Sequence, residues 1–265
     1  MTFWRKYSFV GLISARSNLA YFGDVVSRVL FLGVVLYIFL RLWKVTYAET
    51  AVQTLGGLTI TQMLWYLTVT ESITLSAPRV AQVVDEDVRT GSLATQLVRP
   101  LSYPLYRLWT TLGERLVRFF MNVSVGSLIA WILVGALPVS AVGLLIFVLA
   151  LPLAFVLDFW ANFLIGLGAF WLEDTSGLLL LYSRITMILG GMLIPLELFP
   201  RAMQPVLRAL PFSSMVYGPA HLLVLPSLNE LIELVLRQGT AIVVIVLFVG
   251  IVYRTALRRV YANGG

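Results

Sequence analysis

Long apolar stretches, separated by short polar ones, are the feature that most constrains this chain. Hydrophobic residues make up 59% of its 265 residues and charged residues only 12%, whereas soluble domains carry about a quarter charged residues. A helix needs roughly 20 apolar residues to cross the hydrocarbon core of a bilayer. The sequence therefore predicts an all-α integral membrane protein. It forms a single transmembrane domain over residues 1–265, with six spans at 25–42, 55–75, 119–137, 141–171, 177–198 and 241–257.

The distribution of lysine and arginine predicts how these spans are oriented. If both termini are cytoplasmic, most of the 19 basic residues fall on the cytoplasmic side, which is the bias that the positive-inside rule describes. The run 141–171 is longer than one span requires. Counting it as two spans would place Arg254, Arg258 and Arg259 outside, against that rule. We therefore expect six spans with both termini in the cytoplasm.

Two segments that flank the spans have patterns of their own. Residues 1–22 mix aromatic and basic side chains around an imperfect apolar stripe, which predicts a helix lying in the membrane interface; the alternative is a frayed start of the first span. Residues 199–237 are interrupted by prolines, which favours short re-entrant helices on the outer side, covered by protein. The residues expected at an outer gate there are Pro195, Glu197, Pro200, Pro211 and Pro219.

Residues 83–99 form the most polar part of the chain and lie between the second and third spans. We expect one amphipathic cytoplasmic helix, with its acids in the first turn, where the helix dipole favours negative charge, and its end before Pro100. Such a helix would contact a soluble partner; the alternative is a solvated helix with no partner. The residues expected to form the docking site are Asp85, Glu86, Asp87, Arg89, Gly91, Leu93, Leu97, Arg99 and Pro100.

Charged residues also occur inside the apolar runs, where each costs about 2.5–3.5 kcal/mol on the insertion scale. Asp158 and Arg184 are the clearest cases, and Glu173 or Asp174 are alternative partners for Arg184. The favoured interpretation is a structural ion pair between the fourth and fifth spans, and the alternative is a polar element of the transport path. The second span contains several threonines and Glu71, so it is expected to face protein or a polar path.

Several kinds of chemistry are disfavoured by what the chain contains. It has no cysteine and one histidine, which leaves too few ligands for a structural zinc site. No phosphate-binding G-x-x-x-x-G-K-[ST] motif occurs, so we expect no cofactor in this chain and any ATP and Mg²⁺ on another subunit. The net charge of +6 does not indicate nucleic acid, because the charges lie at the ends of the apolar runs.

Four stretches, taken together and in this order, resemble one family of membrane proteins. The first is Glu86-Asp87-Val88-Arg89-Thr90-Gly91-Ser92-Leu93-Ala94, followed by Leu97-Val98-Arg99-Pro100-Leu101-Ser102. The others are Phe170 to Asp174, then Gly190 to Pro200 with Leu210-Pro211-Phe212 and Pro219 after it, and the ending with Arg258-Arg259 and Gly264-Gly265. The chain resembles the permease subunits of type-2 ABC exporters, in the branch of small six-span permeases with a separate ATPase.

This resemblance implies a function and a set of partners. Two permeases, identical or sister chains, pair in the bilayer, and two ATPase subunits dock beneath them on the helix between spans two and three. The ATPases bind ATP and Mg²⁺, so this chain is expected to be a non-catalytic subunit. The implied cargo is amphipathic, lipid-like or glycosylated and leaves the cytoplasm, and the expected location is a bacterial cytoplasmic membrane.

Two other functions remain open from the residues alone. An ion-coupled secondary transporter would need ion-binding groups near the midplane and usually a repeat architecture; Asp158 and Arg184 give it thin support. A membrane-embedded lipid-modifying enzyme would need a clustered nucleophile, base or metal site. The single histidine and scattered carboxylates make the enzyme the weaker of the two.

Overall fold

The computed structural model describes residues 3–18, 22–50, 52–137 and 140–263. This part of the chain is helical, and Leu55 and Leu58 form an isolated bridge. Its α-helices are α1 Phe3–Asn18, α2 Phe22–Thr50, α3 Ile60–Leu75, α4 Val80–Arg89, α5 Ser92–Leu97, α6 Tyr103–Val134, α7 Ala141–Leu167, α8 Ser176–Leu189, α9 Gln204–Ala209, α10 Pro211–Met215, α11 Tyr217–Val224 and α12 Leu228–Asn263. The all-α membrane class predicted from composition is confirmed.

Four helices are long and apolar enough to cross a membrane, within the residues that the structure describes. They lie at Leu30–Thr50, Tyr103–Val134, Ala141–Phe170 and Leu228–Arg258. The helices at the second and fifth predicted spans have 16 and 14 residues, about 24 and 21 Å at 1.5 Å per residue. Both are shorter than the hydrocarbon core of about 30 Å. The count of six spans and the cytoplasmic position of both termini stay predictions.

Several element boundaries differ from those expected, for local reasons. The second predicted span, 55–75, enters its helix only at Ile60, because Thr59 and Gln62 form a capping box there. The stretch 177–198 is not one continuous helix: α8 ends at Leu189, and the chain turns at Gly191, where φ is +69°. A Schellman arrangement closes this end, with Gly191 N donating to Ile188 O and Met192 N donating to Met187 O.

The helices at the first, third and sixth predicted spans are longer than those spans. α6 begins at Tyr103 rather than 119, since Ser102 is its N-cap and Pro104 lies in its first turn. α2 continues from the span 25–42 to Thr50. α12 joins the predicted outer residues 228–237 to the span 241–257 in one helix of 36 residues. The outer segment therefore ends near residue 227 instead of 237.

Two helices form the centre of the bundle. Residues 66 to 73 of α3 are all buried, as its polar sequence predicted, and α3 packs against α2, α6 and α11. α7 packs against α4, α11 and α12 and buries Phe155, Phe159 and Phe163. The short helices α9 to α11 occupy the segment predicted to hold short helices, and α11 is buried along its whole length.

The N-terminal helix α1 lies along the first turns of α6. Ser14 Oγ donates to Thr110 O at 2.9 Å, and Ser102 N donates to Tyr7 Oη at 2.9 Å. The two helices meet at glycines, and a Cβ on Gly113 would overlap the carbonyl oxygen of Gly11. Residues 1, 2 and 19–21 of the predicted interfacial segment lie outside the described residues, and its position in the membrane interface stays a prediction.

Candidate functional site

The polar segment between the second and third apolar helices is a helix, a turn and a second helix. Gly91 has φ +72° and separates α4 from α5, so the prediction of one helix over 83–99 is wrong. Glycine favours this break because, without a Cβ, it adopts the left-handed conformation at little cost in free energy. The three acids lie in the middle and last turn of α4, not in its first turn. The helix dipole therefore does not explain their positions.

Asp87 is buried, and its carboxylate binds side chains of this same chain. Its carboxylate accepts from Tyr103 Oη at 2.6 Å and from Ser92 Oγ at 2.9 Å, and it forms an ion pair with Arg107. Asp87 is 8% exposed, so its assignment to the docking surface is corrected. It fixes α4 and the start of α5 to the base of α6.

Asp85 makes a second connection, to the chain just before α8. Its carboxylate accepts from Arg89 Nε at 2.6 Å and from Thr175 Oγ1 at 2.7 Å. The hydrogen bond to Asp85 raises the pKa of Arg89. A third contact is with α7, where a Cβ on Gly166 would lie 2.8 Å from Ala81 O and also meet the side chain of Val84. Gly166 thus lets α4 pack closely on α7.

The outer face of the segment is what remains available to a partner. Leu93 is buried and Leu97 half-buried, so their apolar side faces the protein, and docking through Leu93 is likewise corrected. Val98 is 86% exposed. The exposed residues between 86 and 100, which we call the coupling surface, are Glu86, Arg89, Thr90, Gly91, Ala94, Thr95, Val98, Arg99 and Pro100.

The buried charge Asp158 has a partner that the sequence reasoning did not name. Arg115 of α6 lies 2.6 Å from it, measured from Nη1 to Oδ2, and Asn162 Nδ2 and Tyr182 Oη donate to Oδ1 at 3.0 and 2.7 Å. The guanidinium also lies 4.1 Å from the ring centre of Phe155. The structural ion pair is therefore present, but with α6 instead of α8. Arg115 was missed because the residues before 119 were expected outside the membrane.

The other predicted intramembrane charges lie apart from Asp158. Arg184 is exposed on α8 and forms no ion pair with a described carboxylate, and Glu173 and Asp174 are exposed in the link before α8. Asp174 accepts from the Ser176 backbone at 2.8 Å and from its hydroxyl at 2.6 Å, and these hydrogen bonds lower the pKa of its carboxyl. The predicted pairing of Arg184 with Asp158, Glu173 or Asp174 is wrong: Asp158 and Asp174 are engaged by other groups, and no ion pair joins Arg184 to Glu173.

A cavity of about 470 Å³ opens beside this ion pair, within the 300–1,000 Å³ typical of small-molecule sites. α3, α7 and α8 form its sides, and Met215 at the end of α10 and Val216 before α11 close it. Its polar end holds Arg115, Asp158 and Tyr182, and Arg79 and Gln82 lie where it meets the α4 end of the bundle. Its remaining walls are mostly apolar and include Ile73, Leu179, Leu180, Met187, Met192, Met215 and Val216.

The residues expected at the outer gate surround Glu197. The Glu197 carboxylate accepts from Tyr217 Oη and lies 3.1 Å from Arg208 Nη2 and 3.7 Å from His221 Nε2. His221 also lies 3.2 Å from Glu230, and it is buried in α11. Pro195 and Pro200 flank a 3₁₀ turn, Pro211 begins α10, and Pro219 lies in the first turn of α11. Their role as a gate stays a prediction.

Two further buried polar groups lie outside the predicted set of site residues. Glu71 on α3 is 2% exposed, and its Oε2 has no hydrogen-bond partner among the described residues. Asn122 on α6 is buried with an unpaired Nδ2. The polarity of the second predicted span, which holds Glu71, was visible in the sequence. Within the described residues, no group of three histidine or acidic side chains is arranged to hold a metal ion.

Comparison with known proteins identifies the family. The family model described as ABC-2 family transporter protein matches residues 32–264, which includes the polar segment, the ion pair and the outer segment. A search of curated proteins finds no match. The apolar helices and this match confirm the resemblance drawn from the four sequence stretches. The chain belongs to the ABC-2 transporter family and is a type-2 ABC permease, a multi-pass membrane subunit of a transporter.

Proposed function

We propose that this permease is the membrane subunit of an ATP-driven exporter. It pairs with a second permease, identical or sister, and with two separate ATPase subunits that bind ATP and Mg²⁺. The complex moves an amphipathic, lipid-like or glycosylated cargo out of the cytoplasm of a bacterium. The family normally works with an ATPase subunit and is generally non-catalytic, which supports the division of labour.

The observation that carries this proposal is that the α4–α5 segment has an exposed outer face and an inner face anchored to the rest of the chain. Its outer face exposes charged and apolar groups, including Glu86, Arg89 and Val98. Its inner face is held by the buried carboxylate of Asp87 and by the half-buried one of Asp85. A solvated helix without a function would not need such buried polar anchors, because burying a charge costs free energy unless it is paired.

These anchors also supply a route for movement. Asp87 joins the segment to α6 through Arg107, Asp85 joins it to the link before α8 through Thr175, and Gly166 brings it against α7. A displacement of α4 by a closing ATPase would therefore be passed to three apolar helices at once. Close-packed contacts transmit such displacements, since they are not freely compressible.

The first experiment is affinity purification of the tagged chain from its native membrane, with mass spectrometry of the proteins that accompany it. We expect an ATPase in stoichiometric amount, which is lost from a variant with Glu86→Lys, Arg89→Glu and Arg99→Glu. Glu233→Lys is the matched control, because Glu233 is exposed on α12, outside the coupling surface, and the ATPase should be retained. Recovery of the stable chain without an ATPase would overturn the proposal.

The same sample addresses the second permease. Two copies of the chain carrying different tags should be recovered together if the pair is a homodimer. A sister permease of similar size in place of the second tag would instead indicate a heterodimer. A complex with only one permease copy and no sister chain would contradict the proposed assembly.

A further inference from the structure

The cavity next to Arg115 and Asp158, which we call the Arg115 cavity, has an uneven balance of charge. Among the described residues that line it, the charged ones are Arg79, Arg115 and Asp158. Arg115 and Asp158 neutralise each other across 2.6 Å. Arg79 is exposed and forms no ion pair with a described carboxylate. The cavity therefore carries one uncompensated positive charge, at the end near α4.

The hydrogen-bonding groups at the polar end favour the same kind of ligand. Both oxygens of Asp158 already accept hydrogen bonds, from Arg115, Asn162 and Tyr182. The carboxylate is thus occupied and cannot readily serve a cationic ligand. The charged lining group that no described carboxylate neutralises is Arg79, a hydrogen-bond donor. A ligand with acceptor oxygens would complement it.

The remaining walls of the cavity indicate the chemistry and size of the rest of the ligand. They are formed largely by leucine, methionine, isoleucine and valine, and methionine adapts its shape to different apolar groups. A volume of about 470 Å³ holds one compact apolar body and not an extended glycan. Polar side chains such as Thr74, Ser183 and Thr186 also line the cavity, but an oligosaccharide would need a hydrogen-bond partner for most of its hydroxyls.

We propose that the Arg115 cavity binds a single-tailed anionic amphipath. The tail lies along the apolar walls between α3 and α8, and the acidic head group, a phosphate or a carboxylate, lies at the mouth against Arg79. This inference rests on the proposed function, since the bound amphipath would be the cargo, and it narrows the cargo from the lipid-like and glycosylated classes to acidic, single-tailed ones.

The test measures binding to the full chain alone, in nanodiscs of phosphatidylcholine. A dansyl-labelled undecanoic acid is the probe, and three compounds with the same dodecyl tail compete for it. We expect dodecyl phosphate to displace the probe at concentrations about fivefold below those of dodecyl maltoside and dodecyltrimethylammonium. Fivefold corresponds to the upper value for one exposed charge contact. Empty nanodiscs give the background from partition into lipid.

Variants locate the site. Arg79→Glu should weaken dodecyl phosphate about fivefold or more and leave dodecyl maltoside unchanged, while Arg79→Lys should retain most of the affinity. Arg201→Glu is the matched control, since Arg201 is exposed in the outer segment and does not line the cavity. Ser183→Trp, on the exposed part of the cavity wall, should abolish probe displacement by filling the space.

Three results would overturn the inference. The first is equal displacement by the cationic and anionic dodecyl compounds. The second is unchanged affinity in both Arg79→Glu and Ser183→Trp, which would place the binding elsewhere. The third is displacement by inorganic phosphate alone at the same concentration as dodecyl phosphate, which would remove the role of the tail. Because binding needs no ATPase, these failures are distinct from failure to recover the ATPase in the purification above.

Discussion

Arg115 on α6 and Asp158 on α7 form an ion pair inside the bundle, with 4% and 12% of their side chains exposed. Tyr182 and Asn162 complete the hydrogen bonds of the carboxylate. The two residues lie 43 positions apart in the sequence, and the pair joins α6 to α7 and holds α8 through Tyr182. Removal of one partner leaves the other charge buried and uncompensated.

Arg115→Ala should lower the free energy of unfolding by about 3–5 kcal/mol, the usual cost of breaking a buried pair from one side. The double variant Arg115→Met with Asp158→Leu should recover most of this loss, since no charge is then left unpaired. Equilibrium unfolding in mixed SDS micelles, followed by tryptophan fluorescence, measures both. Arg184→Ala is the control and should change stability by less than about 0.5 kcal/mol; an equal loss in Arg184→Ala would contradict the pairing seen here.

Asp87→Ala should loosen the α4–α5 segment. The change removes the acceptor of Tyr103 and the partner of Arg107, at a cost of about 1.5–3 kcal/mol for a charged hydrogen-bonding group. Hydrogen exchange over residues 80–107 should speed up, while exchange in α12 should not. Glu86→Ala is the matched control, because Glu86 is exposed on the same helix. Faster exchange in both variants would mean that Asp87 has no special anchoring role.

Gly113→Ala should separate α1 from α6. A Cβ at this position would overlap the backbone of Gly11, and backbone cannot move aside as a side chain can, so overpacking should cost about 1–3 kcal/mol. The chain lacks cysteine, so Ser14→Cys with Thr110→Cys can be cross-linked by a short bis-maleimide, and the yield should fall in Gly113→Ala. Gly250→Ala, where nothing lies within 4 Å of the added Cβ, should leave the yield unchanged. Equal yields in the two variants would argue against a close contact.

Gly191→Ala should destabilise the end of α8. Its φ of +69° is a left-handed conformation that costs an L-residue about 1–2 kcal/mol, and the added Cβ would lie 3.1 Å from Tyr217 Cβ. Gly177→Ala, at the other end of the same helix and with open space around it, should be neutral or slightly stabilising. SDS unfolding distinguishes the two variants. An unchanged Gly191→Ala would show that the turn can relax.

Much of the fold could be predicted from patterns that act locally. Apolar stretches long enough to span a bilayer fixed the class, and the prolines after residue 199 predicted short helices there, which α9 to α11 confirm. The boundaries were harder to place. Gly91 and Gly191 both end helices through left-handed turns, whereas Gly250 lies inside α12. The residue type alone does not show which of these glycines ends a helix.

In the candidate site, too, some features could be predicted from the sequence and others could not. Charge and order along the chain were enough to mark 83–99 as a polar segment between two apolar helices, and to mark Asp158 as a buried charge needing a counterion. They could not show that Asp87 turns inward to Arg107, or that Asp158 meets Arg115 in preference to Arg184. Both choices depend on which helices become neighbours, and each helix carries several charges at similar depth.

The sequence by itself thus determined the membrane class, the permease family and the polar segment between the second and third apolar helices, because hydrophobicity, charge and turn residues act over short stretches of chain. Only the tertiary structure decided which charges pair, which acids remain on the surface, and that α3, α7 and α8 enclose a cavity. The physical reason is that a buried charge is stabilised by whichever opposite charge packing brings within hydrogen-bonding distance, and that distance is set by contacts between residues far apart in the chain.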